Sequence, residues 1–312
     1  MKSLFGTINM RILNETNETI PCALALGNFD GLHSAHIKII KSCAEFAHQN
    51  KIPGGVLLFE NHTQSVVAKE EIKLLTTLEE KLKILEEIGV DFVYIVRFDE
   101  EFMRKTPEEF FSYLKDNLKA KALFAGFDYR FGYKAKGNVS SLKKMGDENN
   151  ITVSIFDAIN VCEDTVSSTM IRNLIQNGKV DSAALYLGRA YSILGRVVHG
   201  KKNGTKMGLP TANVEIGENK LIPPDGVYFG FTSVEGKKYK SLINIGKNPT
   251  FGENKRTVES HIIDFCGDLY ESIVELELCE KIRDEIKFSS PDELIKQIKA
   301  DLKYINQKGE KS

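Results

Sequence analysis

Near residue 190 the chain changes texture, and this change limits the possible folds more than any other feature. Upstream, short apolar runs at 21–27, 55–59, 92–96, 122–126 and 151–156 alternate with segments of helical periodicity. Downstream, six runs of strand character follow one another at 191–199, 212–216, 227–234, 239–245, 257–265 and 272–278. Apolar strands separated by helices predict a parallel sheet covered on both faces. Consecutive short strands separated by turn signals such as Pro223-Pro224-Asp225-Gly226 predict a small closed or nearly closed barrel.

Helix starts are readable in both halves. Thr77-Leu78-Glu79-Glu80 is a capping box, and Thr106-Pro107-Glu108-Glu109 adds proline at the first helical position. Residues 167–188 read as two short helices broken at Asn177-Gly178, and Ser290-Pro291-Asp292-Glu293 opens a last amphipathic helix reaching about residue 305. At 312 residues there is room for two cores. The expected domains are an α/β domain over 1–165, a helical connector over 166–188, and a β-barrel domain with a C-terminal helix over 189–312.

The net charge of −1 argues against a nucleic-acid or membrane partner, although Lys201, Lys202 and Lys206 gather enough charge for a small anion. Five scattered cysteines with no C-x-x-C pair fit reduced thiols, hence a cytoplasmic protein without a zinc site. Residues 1–14 lack the apolar core of a signal peptide, and no apolar run is long enough to span a membrane.

Two segments suggest phosphate chemistry. The first, Gly27-Asn28-Phe29-Asp30-Gly31-Leu32-His33-Ser34-Ala35-His36, follows a strand and opens a helix. Ligands of parallel sheets bind at such strand ends, and a helix N-terminus offers unpaired N–H groups and a positive dipole end. His33 and His36 share a helix face and can donate to charge developing on a phosphate; an H-x-x-H alone reads more readily as two surface histidines, and the Phe29-Asp30-Gly31 run before it reverses that reading. Ser167, Ser168 and Thr169 suit a helix cap, with Arg172 one turn further in, and Gly126-Phe127-Asp128-Tyr129-Arg130-Phe131-Gly132 follows a strand. Taken alone, those two segments also read as an ordinary cap and a surface loop. No G-x-x-x-x-G-K-[ST], G-x-G-x-x-G or H-E-x-x-H pattern is present.

The second segment runs from Gly195-Arg196-Val197-Val198-His199-Gly200 through a Lys/Gly-rich loop to Pro210-Thr211-Ala212-Asn213. Thr211 and Asn213 point to one side of an extended segment and offer neutral oxygens suited to Mg²⁺. In Thr257-Val258-Glu259-Ser260-His261, Glu259 faces away from Val258 and could accept the proton of an attacking hydroxyl. The plainer readings are a solvated hairpin and the polar face of a strand.

Together these segments, with Pro224-Asp225-Gly226-Val227-Tyr228, Asn244-Ile245-Gly246-Lys247-Asn248-Pro249-Thr250-Phe251, Asp268-Leu269-Tyr270 and Ile282-Arg283-Asp284-Glu285, closely resemble the prokaryotic bifunctional riboflavin kinase/FAD synthetase family. The resemblance implies a nucleotidyltransferase-type domain making FAD from FMN and ATP, joined to a barrel kinase making FMN from riboflavin and ATP. It implies that Gly27, Phe29, Asp30, His33, His36, His62, Ser167, Ser168, Thr169 and Arg172 serve the first ATP, and that Asp128, Arg130 and Phe131 serve FMN. For the kinase it implies Gly195, His199, Lys206, Thr211 and Asn213 at ATP, with Mg²⁺ on Thr211 and Asn213. Tyr270, Arg283 and Phe288 fall to riboflavin, and Glu259 is the base. Such an enzyme is expected to be a monomer or weak homo-oligomer. Ala35 stands where the family has glycine, and Asn61 and Thr63 where it has prolines, so the sequence also admits a kinase with a weakened or lost adenylyltransferase half, or a non-enzymatic flavin-binding regulator.

Overall fold

The structure, a computed structural model, describes residues 10–14, 17, 19–60, 72–161, 163–199, 209–247 and 256–308. The chain forms two compact units, Met1–Ser168 and Thr169–Ser312.

In the first unit six parallel strands make one sheet: β1 (Arg11–Leu13), β2 (Cys22–Leu26), β3 (Gly54–Phe59), β4 (Phe92–Val96), β5 (Ala120–Gly126) and β6 (Thr152–Phe156), in the order β1-β4-β3-β2-β5-β6. The alternation of side chains divides β2 between two cores. Cys22, Leu24 and Leu26 join Leu57, Phe110, Phe111, Leu114 and Phe131 on one face, while Ala23 and Ala25 join Val56, Ile40 and Leu85 on the other. Helix α1 (Ser34–Asn50) buries Ile39, Ile40, Cys43 and Ala47 against that second face, and α2 (Leu78–Ile88) adds Leu85. Both predicted capping boxes are formed, at Thr77/Glu80 for α2 and at Thr106/Glu109 ahead of Pro107–Ser112. The edge strand β1 is an element the sequence did not mark. Three residues carry no readable period, and pairing with β4 alone makes them a strand.

Burial pushes the thiols of Cys22 and Cys43 up to about 12, so neither is a nucleophile at neutral pH.

A short hairpin follows β6 in the chain, β7 (Asn160–Val161) with β8 (Asp164–Thr165). The second unit's strands are β9 (Tyr191–Val198), β10 (Ala212–Ile216), β11 (Gly226–Val234), β12 (Lys237–Lys247), β13 (Arg256–Ile262) and β14 (Ile273–Arg283), and they form a closed antiparallel barrel in the order β10-β13-β12-β11-β14-β9. Six runs of strand character thus become six barrel strands. Residues 226–230 are buried without alternation because the C-terminal helix, Pro291–Lys308, covers their outer face. Ile305 packs there on Val227, Phe229 and Leu242.

A charged clamp holds that helix. Arg283 gives Nε and Nη2 to Asp301 at 3.0 and 2.9 Å, and Gln297 donates to the same carboxylate at 2.8 Å. Asp301 is only 3% exposed. Removing one partner of such a pair strands the other charge, so Asp301→Ala should cost the barrel about 3–5 kcal/mol, measured as a shift in its urea unfolding transition. An unshifted transition would mean that the helix is held by its apolar face alone.

Candidate active sites

The first candidate lies where β2 runs into α1. Phe29 (φ 47°), Gly31 (φ 86°) and Leu32 (φ 41°) take left-handed backbone, and only glycine does so without strain. Phe29 and Leu32 are nonetheless fully buried, so packing holds the turn in a shape its own residues disfavour. His33 is the N-cap of α1, its Nδ1 accepting from the His36 amide at 3.4 Å. The His33 and His36 rings stack, with centroids 3.5 Å apart, and Phe29 meets His36 edge-on. An Nδ1 that accepts leaves the proton of a neutral imidazole on Nε2, the orientation of a donor.

Asp30 is 3% exposed, and its carboxylate accepts the amides of Leu75 and Thr76 at 2.9 and 3.1 Å. Gly31 donates to Thr76 Oγ1, and Ser168 Oγ donates to the Asp30 carbonyl at 2.8 Å. The structure thereby joins Ser168 of the Ser/Thr/Arg element to the histidine loop. Ser167 is half-buried and Thr169 exposed, with Arg172 a turn into the helix Ser168–Gln176. Gly27 abuts the Phe29 ring. Ala35 lies half-buried in the first turn of α1. Asn61, His62 and Thr63 fall outside the described residues.

Of the residues expected at FMN, Asp128 and Arg130 are exposed beyond β5. Phe131 is 5% exposed and sits in the core, 5.6 Å from Phe110 and stacked on Tyr129. Alternation around an isolated bridge with Gly137 turns it inward, and the ring left outside is Phe127, 49% exposed.

The second candidate is built from barrel strands. Asn213 of β10 lies opposite Glu259 of β13, which lies opposite Asn244 of β12. Directly paired residues share a face, so the three make one polar row, with Val258, Ser260 and Ile262 buried behind it. Thr211 Oγ1 reaches Glu259 Oε2 at 3.4 Å, and His261 Nδ1 holds the Pro210 carbonyl at 2.8 Å. Burial raises the pKa of Glu259, and the Thr211 hydrogen bond partly offsets it. Asn244 belongs to a segment that carries the resemblance but has no role of its own there; strand pairing, which no local pattern reveals, puts it beside Glu259.

Other candidates are placed differently. Gly195 lets β9 and β10 approach, since a Cβ there would lie 2.4 Å from Val214. Arg283 is engaged by Asp301, and Phe288 is half-buried in the segment before the last helix. His199 and Tyr270 stack with centroids 3.5 Å apart, bringing the expected nucleotide and riboflavin segments together. Lys206 and its loop, 200–208, lie outside the described residues, as do 248–255. Among the described residues no cluster of three His, Cys, Asp or Glu side chains is placed to hold a metal.

A helix-start histidine pair on a parallel sheet and a half-buried carboxylate on a barrel strand, in one chain, fit a two-domain transferase. Residues 15–170 match the FAD synthetase family and residues 187–308 the riboflavin kinase family. The bifunctional riboflavin kinase/FMN adenylyltransferase of Listeria monocytogenes is 35% identical over 89% of both chains, and that of Bacillus subtilis 33% over 96% of both. The chain belongs to the bifunctional riboflavin kinase/FAD synthetase family. A solved Streptococcus pneumoniae structure described as a macrolide-efflux protein is 30% identical, with a TM-score of 0.81 over 98% of this chain and 97% of that one. Among the described residues of the present chain no helix is long and apolar enough to cross a membrane.

Proposed function

We propose that the barrel transfers a phosphoryl group from ATP to the terminal ribityl hydroxyl of riboflavin, and that the first unit transfers an adenylyl group from ATP to the resulting FMN, releasing pyrophosphate. The observation that carries this reading is the row Asn213–Glu259–Asn244 with Thr211 on the same carboxylate. Such a row sets a proton acceptor beside neutral oxygens. Functional boundaries are taken at 1–165, 166–188 and 189–312, and the enzyme works in the cytoplasm as a monomer or weak homo-oligomer.

In the barrel Glu259 takes the hydroxyl proton as the oxygen attacks. Thr211 and Asn213 are the residues that would hold Mg²⁺, because hard oxygen donors suit an ion that keeps several waters. When bound, that ion neutralises charge on the transferring phosphate. His199 and Tyr270 mark the mouth between nucleotide and flavin. In the first unit His33 and His36 donate to the phosphates, while Asp30 and Ser168 hold the loop that presents them. Phe127 offers the isoalloxazine an exposed ring, with Asp128 and Arg130 at its polar edge. Arg172, in the connector 166–188, has a phosphate role on the family resemblance alone. Ala35 leaves both imidazoles in place, so adenylyl transfer persists in a weakened form.

Incubation with riboflavin and Mg-ATP, followed by separation of the flavins, should yield FMN and then FAD, and a chelator should stop both. FMN alone would favour a kinase whose first half has lost its activity. Unchanged riboflavin would favour a binding protein.

A further inference from the structure

A lysine lies beneath the histidine loop. Lys81, in the first turns of α2, is 8% exposed, and its Nζ donates to the Asn28 carbonyl at 2.8 Å. Burial lowers its pKa, and the Asp30 carboxylate is the charge that opposes the shift. An ammonium in such a place is retained against a desolvation cost that an apolar side chain of the same length would avoid.

Its surroundings suggest why it is retained. The turn from Asn28 to Leu32 has three left-handed residues, two of them bulky. Strain of that kind persists only where neighbours over-determine the backbone. The segment from Leu75 to Lys81 supplies those neighbours. The Leu75 and Thr76 amides hold the Asp30 carboxylate, Thr76 Oγ1 takes the Gly31 amide, and Lys81 takes the Asn28 carbonyl. The Thr77/Glu80 capping box fixes the start of α2, and therefore the depth at which Lys81 enters. Removing the cap would shift the lysine along with the helix.

We propose that Lys81 is a positioning residue for adenylyl transfer: its buried ammonium, anchored on Asn28, locks the strained 28–32 turn in the shape that aims His33 and His36 at the nucleotide's phosphates. The lysine touches no reacting atom in this role. It acts through the backbone, and its charge matters because a charged donor holds a carbonyl more strongly than a neutral one. The inference rests on reading the first unit as the adenylyltransferase.

Lys81→Met keeps length and removes the charge, so the fold should survive with an unchanged or higher melting temperature. FAD formation from FMN and ATP should fall roughly 10–10²-fold, as expected when a reacting group is displaced by a fraction of its contact distance. The loss should be divided between a raised KM for ATP and a lowered kcat. Riboflavin phosphorylation in the same chain should be unaltered. Lys81→Gln, which keeps a neutral donor, should fall between parent and Met, and it serves as the reading if the Met variant fails to fold. Hydrogen exchange at amides 28–33 should quicken in both variants. Parental FAD formation in Lys81→Met with slow exchange at 28–33 would overturn the proposal, as would a lowered melting temperature with unchanged kinetic constants. If the parent itself makes no FAD, the adenylyltransferase reading fails; the exchange measurement still decides whether Lys81 locks the loop.

Discussion

Glu259→Gln should cut FMN formation by roughly 10²–10⁴-fold, the usual loss when a general base is removed. The substitution keeps the shape and the hydrogen bond with Thr211 but leaves no acceptor for the ribityl proton. Stability should change little, since the replaced carboxylate is already disfavoured in its charged form by burial. The same burial sets a pH dependence. A base with a raised pKa is active only above that value, so kinase kcat/KM should fall as pH drops through a limb lying above the ordinary carboxylate range, and the limb should vanish in the variant. Asn213→Ala should behave differently, raising the Mg-ATP requirement while the pH limb stays. Identical defects in the two variants would show the division of labour to be wrong, and near-parental turnover in Glu259→Gln would remove the base assignment altogether.

Much of the fold was legible because the first half alternates apolar runs with helical periods and the second strings strand patterns one after another before a last helix. Continuous apolar runs in the first half become strands buried on both faces, and both capping boxes place their helices. Strand β1 was illegible, since three residues paired only at a sheet edge carry no pattern of their own. The small hairpin Asn160–Val161 with Asp164–Thr165 was missed for the same reason.

The sites divide along a similar line. Positions set by a helix start or by strand alternation are the legible ones: His33 and His36 sit at the start of α1, and Glu259 lies on a barrel strand with Thr211 within reach. Residues recruited by tertiary contact do not announce themselves. Lys81 looks like any charged position on an amphipathic helix until the loop is laid over it. Asn244 becomes a neighbour of Glu259 only through the β12–β13 register. Packing also engages residues expected at the flavin. Phe131 and Arg283 have the residue types a flavin site needs, yet one ring is used by the core and one guanidinium by Asp301. Motif membership gives a residue's address, and packing decides which of its atoms remain for the ligand.

His36→Ala should reduce FAD formation by roughly 10²–10³-fold, the cost typical of losing one preorganised donor to developing charge. His36 is the cleaner of the two imidazoles to remove. His33 caps α1, and losing a cap would itself cost about 1 kcal/mol, so a His33 variant mixes helix fraying with lost catalysis. His36 lies inside the first turn, where alanine is the better helix former. Its ring meets the His33 and Phe29 rings, and truncation leaves the buried Phe29 in its pocket. The defect should therefore appear in kcat more than in KM for FMN, with riboflavin phosphorylation intact. Arg172→Ala provides the contrast, because a cation that neutralises a bound phosphate should mainly raise the KM for ATP. If His36→Ala forms FAD at the parental rate, the stacked pair is a helix-start ornament and the phosphate donors must be sought elsewhere on the loop. If it abolishes both activities, the two centres are not independent.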